Sequence, residues 1–145
     1  MFRIGARMKK ITLMVIFCIL SLSAETYASN TVSCKAYLIA TKFAFAINQT
    51  NHKTFFIKRH LHNNISNEKY IFSNGKTMIA QSHIIKDKTS CAVYMKQGNN
   101  FVKTHTYSIS KMPIGYSVKA IFSNNEAQEF RVYPLTDQQM KKILE

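Results

Sequence analysis

Apolar and polar residues alternate along most of this chain. Phe43, Phe45 and Ile47 alternate, as do Phe55, Ile57 and, past Arg59, Leu61. The same period recurs at Cys91, Val93 and Met95, and then from Phe101 through Lys103, His105 and Tyr107 to Ile109. Tyr116, Val118, Ala120 and Phe122 follow, and then Phe130 and Val132. A period of two, rich in aromatic and β-branched residues, predicts half-buried strands.

Turn formers separate these runs. Asn48-Gln49-Thr50-Asn51, Asn63-Asn64, Ser66-Asn67, Gln97-Gly98-Asn99-Asn100, Met112-Pro113-Ile114-Gly115 and Asn124-Asn125 all fall between apolar stretches. Asn74-Gly75, between Tyr70-Ile71-Phe72 and Thr77-Met78-Ile79, is the strongest hairpin signal, because both residue types tolerate positive φ. The pattern predicts an all-β fold: a small antiparallel meander of about 8–9 strands, closed as a barrel or folded as a sandwich. The end of the chain changes character. Thr136-Asp137-Gln138-Gln139 fits a capping box, and Leu135 and Met140 are spaced for a hydrophobic staple. A short C-terminal helix is expected to pack on the sheet or plug one end of a barrel.

The first residues break the alternation. MFRIGARMKK, the apolar run Ile11–Leu22 and SAETYASN give the basic, apolar and small-residue order of a secretory signal peptide of bacterial style. The apolar run is shorter than the roughly 20 residues that span a bilayer, so no transmembrane anchor is expected from it. Cleavage is expected after Ala28, giving residues 1–28 as signal and 29–145 as one exported β-domain, periplasmic or extracellular. That domain carries 16 Lys and Arg against 6 acids, within a whole-chain net charge of +13.

Export changes the reading of the cysteines. Cys18 lies within the signal, leaving Cys34 and Cys91, which are expected to form a disulfide between two strands. Ser33-Cys34-Lys35-Ala36-Tyr37 recurs in outline as Ser90-Cys91-Ala92-Val93-Tyr94, and Ile71-Phe72-Ser73-Asn74 recurs as Ile121-Phe122-Ser123-Asn124. Both recurrences fit a duplicated meander.

Candidate chemistry is sparse. There is no G-x-S-x-G, H-E-x-x-H or Gly-rich phosphate loop. His60 and His62 share one face of a strand, but a metal site needs a further ligand and their surroundings are basic, so no metal or cofactor is expected. The more suggestive feature is a basic cluster, Lys53, Lys58, Arg59, His60 and His62, interleaved with Phe55 and Phe56. Charges and rings in that arrangement suit an anionic polymer or envelope component. The sequence therefore points to an exported, non-enzymatic binding or envelope-associated protein. Its alternatives are a protein that inhibits a host or rival enzyme and a small secreted hydrolase using His83 or His105 with Glu68 or Glu129.

Overall fold

The computed structural model describes residues 30–145. The signal segment, its cleavage point and Cys18 lie outside the described residues. Strands β1 (Thr31–Val32), β2 (Phe43–Asn48), β3 (Thr54–His62), β4 (Ile65–Phe72), β5 (Thr77–Ile84), β6 (Ser90–Gln97), β7 (Asn100–Lys111), β8 (Tyr116–Phe122) and β9 (Ala127–Pro134) are joined by helices α1 (Cys34–Ala40) and α2 (Asp137–Leu144). From β2 to β9 each strand pairs antiparallel with the next, and β9 returns to β2 through pairs such as Ala46 with Val132. The meander is thus a closed eight-stranded barrel, which leaves no long unpaired edge. β1 is the extra strand. It pairs with β7 at Ile109 and Ser110, just beyond the start of β6.

The hairpin turns are built by residues that mark them in the sequence, except that Ser66-Asn67, read there as a turn, lies inside β4, paired with Leu61 and His60 of β3, because the turn is completed by Asn63-Asn64 alone. At Ser73-Asn74-Gly75 the Phe72 amide donates to the Lys76 carbonyl and the Gly75 amide to the Phe72 carbonyl. The Lys76 amide donates to Asn74 Oδ1, and Gly75 takes φ +85°. Ser123-Asn124-Asn125 makes the same three bonds, with Asn125 at φ +67°. The recurrent Ile-Phe-Ser-Asn is therefore one turn used twice, at the same end of the barrel. Gly115 has a stricter role: a Cβ there would lie 2.5 Å from the Val132 carbonyl oxygen.

Three features depart from the sequence pattern. First, residues 34–40 form a helix, so the disulfide ties a helix to a strand and the Ser-Cys recurrence joins unlike structures. Ser33 caps that helix by accepting from the Ala36 amide at 3.2 Å, and Cys34, Tyr37 and Leu38 are buried at helical spacing. Secondly, β2 buries Ala44 and Ala46, while Phe43, Phe45 and Ile47 take the outer face. Phe45 packs on Phe56, and Phe43 borders the groove under Met140 of α2. Small side chains suit the crowded interior of a barrel that also contains Tyr37. Thirdly, β7 carries one extra residue: Val93 pairs with His105, but Tyr94 pairs with Lys103. This bulge at Thr104 moves the alternation onto the other parity, so Lys103 faces out while His105, Tyr107 and Ile109 face in.

α2 begins with the expected capping box: Gln139 N donates to Thr136 Oγ1 at 3.1 Å and Thr136 N donates to Gln139 Oε1 at 2.8 Å. It lies on the outer wall near β2, with Met140 buried. The plug of the barrel is α1 instead. Cys34 is bonded to Cys91 of β6 with 5.5 Å between Cα atoms, and the Cys34 amide donates to the Lys88 carbonyl.

Candidate functional site

A barrel interior is lined by alternate residues of every strand. Here it divides into two zones. At the end closed by α1, the inward positions are polar. Arg59 of β3 and Glu68 of β4 stand directly opposite in the ladder and form a buried ion pair through Nη1 and Oε2. Arg59 Nε donates to the carbonyl oxygen and to Oγ1 of Thr41, both at 3.1 Å, and Nη2 donates to the Tyr37 hydroxyl at 3.0 Å. Glu68 Oε1 accepts from the Tyr70 hydroxyl and from Ser82 Oγ, each at 2.9 Å. Because Ser82 spends its proton on the carboxylate, the Tyr107 hydroxyl, 3.1 Å away, donates to Ser82.

Every guanidinium nitrogen and both carboxylate oxygens therefore have partners. Burial pulls the Arg59 guanidinium down, but the Glu68 carboxylate and the nearby tyrosine oxygens outweigh it, and its pKa is well above the ordinary value. Burial raises the pKa values of Tyr37, Tyr70 and Tyr107, so all three remain neutral hydroxyls. Tyr37 also meets Tyr107 and Tyr116 edge-on, at 5.7 and 5.4 Å between ring centroids, and Arg59 lies 5.0 Å above its ring. This zone forms the floor.

Above it lies a cavity of about 670 Å³, walled by Phe55, Ile57, Met95, Val118, Phe122 and Phe130. It opens at the end of the barrel that carries the turns β2–β3, β4–β5, β6–β7 and β8–β9, and Asn51, Gln97 and Asn124, in or beside three of these turns, line it. Met78 and Val102 also line it, yet they are 41% and 42% exposed, which places them at the mouth. Neutral polar side chains interrupt the wall: Asn48, whose Nδ2 donates to Gln128 Oε1 at 2.9 Å, and His105. His105 stacks on Phe122 at 4.5 Å between centroids, and its Nδ1 lies 2.8 Å from Thr104 Oγ1. Burial lowers its pKa to about 4, so the imidazole is neutral at pH 7.

The five residues of the basic cluster do not share one face. Arg59 is internal. Lys58 and His60 alternate with it on the outer wall, and His62 is exposed beyond them. Lys53 is exposed at the mouth of the cavity. Lys58 stands opposite Lys69 across β3 and β4. Of the acid–base candidates, His83 lies beside Gln81 and Tyr94, and Glu129 accepts from Ser117 Oγ and pairs with Arg131. Glu68 is committed to Arg59, Tyr70 and Ser82. No cluster of three metal-ligating side chains is present among the described residues. No protein-family model matches the chain, and no curated protein matches it in sequence.

The polar floor and the cavity are what the sequence reading missed. A signal for the floor was present. Asn63-Asn64 is a two-residue turn, so His62 faces Ile65, and counting back puts Arg59 opposite Glu68. Arg59 shares its parity with Phe55, Ile57 and Leu61, which already marks it as inward.

Proposed function

We propose that this is an exported, non-enzymatic binding protein whose ligand is a small, largely apolar molecule held inside the barrel. The observation that carries the reading is the apolar-walled cavity of about 670 Å³, open among four hairpin turns and closed beneath by α1 and the Arg59–Glu68 network. Its volume is in the range of about 300–1,000 Å³ typical of small-molecule sites. Barrels of eight strands have an interior wide enough for one small ligand. The floor supports a binding role over a chemical one. Its charges are spent on each other, and its hydroxyls are held neutral. The Cys34–Cys91 bond fits an oxidising compartment and secures the plug.

The test is titration of the purified protein with a neutral fluorescent probe, N-phenyl-naphthylamine. Saturable binding with one site per chain is expected. Ala120→Phe, which projects a ring from the wall, and Met78→Trp, which narrows the mouth, should each weaken it by roughly tenfold or more. Met78 is partly exposed, so its variant should fold even if the wall variant does not. Wild-type protein that binds no neutral apolar probe, or binds it equally in Met78→Trp, overturns the reading.

A further inference from the structure

We infer that the cavity takes the hydrocarbon chain of a single-tailed anionic amphiphile, chain inward and head at the lysine-bearing mouth. The inference rests on the lumen-binding reading and specifies its ligand class and orientation.

Three observations fix the orientation. The floor has no unspent cation for a head group, because every guanidinium nitrogen of Arg59 already donates to Thr41, Tyr37 or Glu68. An anion placed there would have to displace Glu68 from a fully buried pair, which leaves an unpaired charge in the interior. The wall offers no cation either. Its one titratable side chain, His105, is neutral at pH 7. The mouth is different. Lys53, Lys96 and Lys103 border it against a single acid there, Glu126, and Lys76 stands in the neighbouring β4–β5 turn. All four lysines are exposed, and none forms an ion pair among the described residues.

The energetics agree. An alkyl chain gains about 0.8 kcal/mol per buried CH₂, so the chain supplies the affinity. The lysines add selectivity, since long flexible cations can lay their stems on apolar rim residues and reach a head group in water. Positive charge bordering a low-dielectric cleft also attracts anions from solution. Free fatty acids and lysophospholipids with acidic heads share this chemistry.

The experiment is displacement of bound N-phenyl-naphthylamine by dodecanoate, dodecanol, dodecylamine and dodecanoyl-lysophosphatidylglycerol at pH 7.5. At low ionic strength dodecanoate should displace the probe at concentrations on the order of tenfold lower than dodecanol, and dodecylamine should be weakest. The gap should close at about 0.5 M salt. The Lys53→Gln, Lys96→Gln, Lys103→Gln triple variant should lose the preference while binding dodecanol as before. The Lys35→Gln, Lys69→Gln, Lys119→Gln triple variant removes the same charge from exposed positions away from the mouth and should keep it. Relative displacement by dodecanoate and the lysophospholipid assigns the source of the head group. Equal displacement by all head groups, or equal loss in both triples, overturns the inference while leaving the lumen reading intact. Failure of the probe itself to bind overturns both.

Discussion

Glu68→Gln tests the account of the floor most directly. The side chains of Arg59 and Glu68 are 3% and 0% exposed. The substitution keeps the size and one acceptor oxygen of Glu68 but removes its charge, leaving a buried guanidinium with only neutral partners. Breaking a buried pair in this way costs about 3–5 kcal/mol. A small domain has roughly 5–15 kcal/mol in total, so the variant should lose a large share of its stability. Arg59→Met should cost a similar amount, because Glu68 would then keep only the two hydroxyl donors. The Arg59→Met, Glu68→Gln double variant has no buried charge to strand. It should be more stable than the sum of the single effects implies by at least about 2 kcal/mol.

Urea unfolding at pH 7 with the disulfide intact is the assay, followed by tyrosine fluorescence, since the chain has no tryptophan. Tyr70→Phe provides a milder variant if the charge variants do not fold. It removes a hydroxyl bonded to the carboxylate and should cost about 1.5–3 kcal/mol. Any folded member of the series should still bind the neutral probe, because the floor supports the cavity without receiving the ligand. Additive single effects below about 1 kcal/mol would refute the idea that this pair anchors the closed end.

Two further outcomes are expected. His105 has a folded pKa of about 4 against 6.5 for the free side chain, so the unfolded chain binds more protons between these values, and acid favours unfolding. Stability should be complete above pH 6.5 and fall by about 2 kcal/mol by pH 5 from this group. The fall should be missing in His105→Phe, and identical pH profiles would contradict the burial of His105. The Cys34→Ala, Cys91→Ala double variant opens a 58-residue loop and should lose up to about 4 kcal/mol in the same urea assay. In the wild type both thiols should resist alkylation until reductant is added, and free reaction of either under native, oxidising conditions would refute the bond.

Much of the barrel was legible because its signals are local. Period-two alternation gives strands, and Asn-rich turns give hairpins whose bonds use the turn residues' own side chains, as at Asn74 and Asn124. Thr136 and Gln139 give the C-terminal helix start. Closure of the sheet was not local. It depends on β9 returning to β2, and no short-range signal distinguishes that pairing from the stacked sheets of a sandwich. Helix α1 was hidden for a different reason. Its seven residues fall between alternating runs, and only the Ser33 cap and the spacing of Cys34, Tyr37 and Leu38 distinguish it from another strand. The Thr104 bulge left only a faint mark: Lys103 stands among the apolar and aromatic odd positions from Phe101 to Ile109, beside an apolar Val102, and the shift itself appears only against the β6 register.

The same limit explains why the site was misjudged at the sequence level. Lys58, Arg59 and His60 are consecutive, so a linear reading merges them into one basic patch. A strand separates them, sending Arg59 inward and its neighbours outward. Barrel closure then gives that inward arginine a meaning its sequence context lacks. A guanidinium enclosed by eight strands must meet a carboxylate, and Glu68 occupies the rung opposite. Once paired, the two groups are consumed in holding α1 and the lower strands together. The upper part of the same interior is left mainly to apolar side chains, with neutral polar groups such as His105, Asn48 and Gln128 among them and no charge to neutralise. A polar structural floor beneath an apolar lumen follows from where one Arg–Glu rung falls in the barrel, and that division makes the open end the place for a ligand.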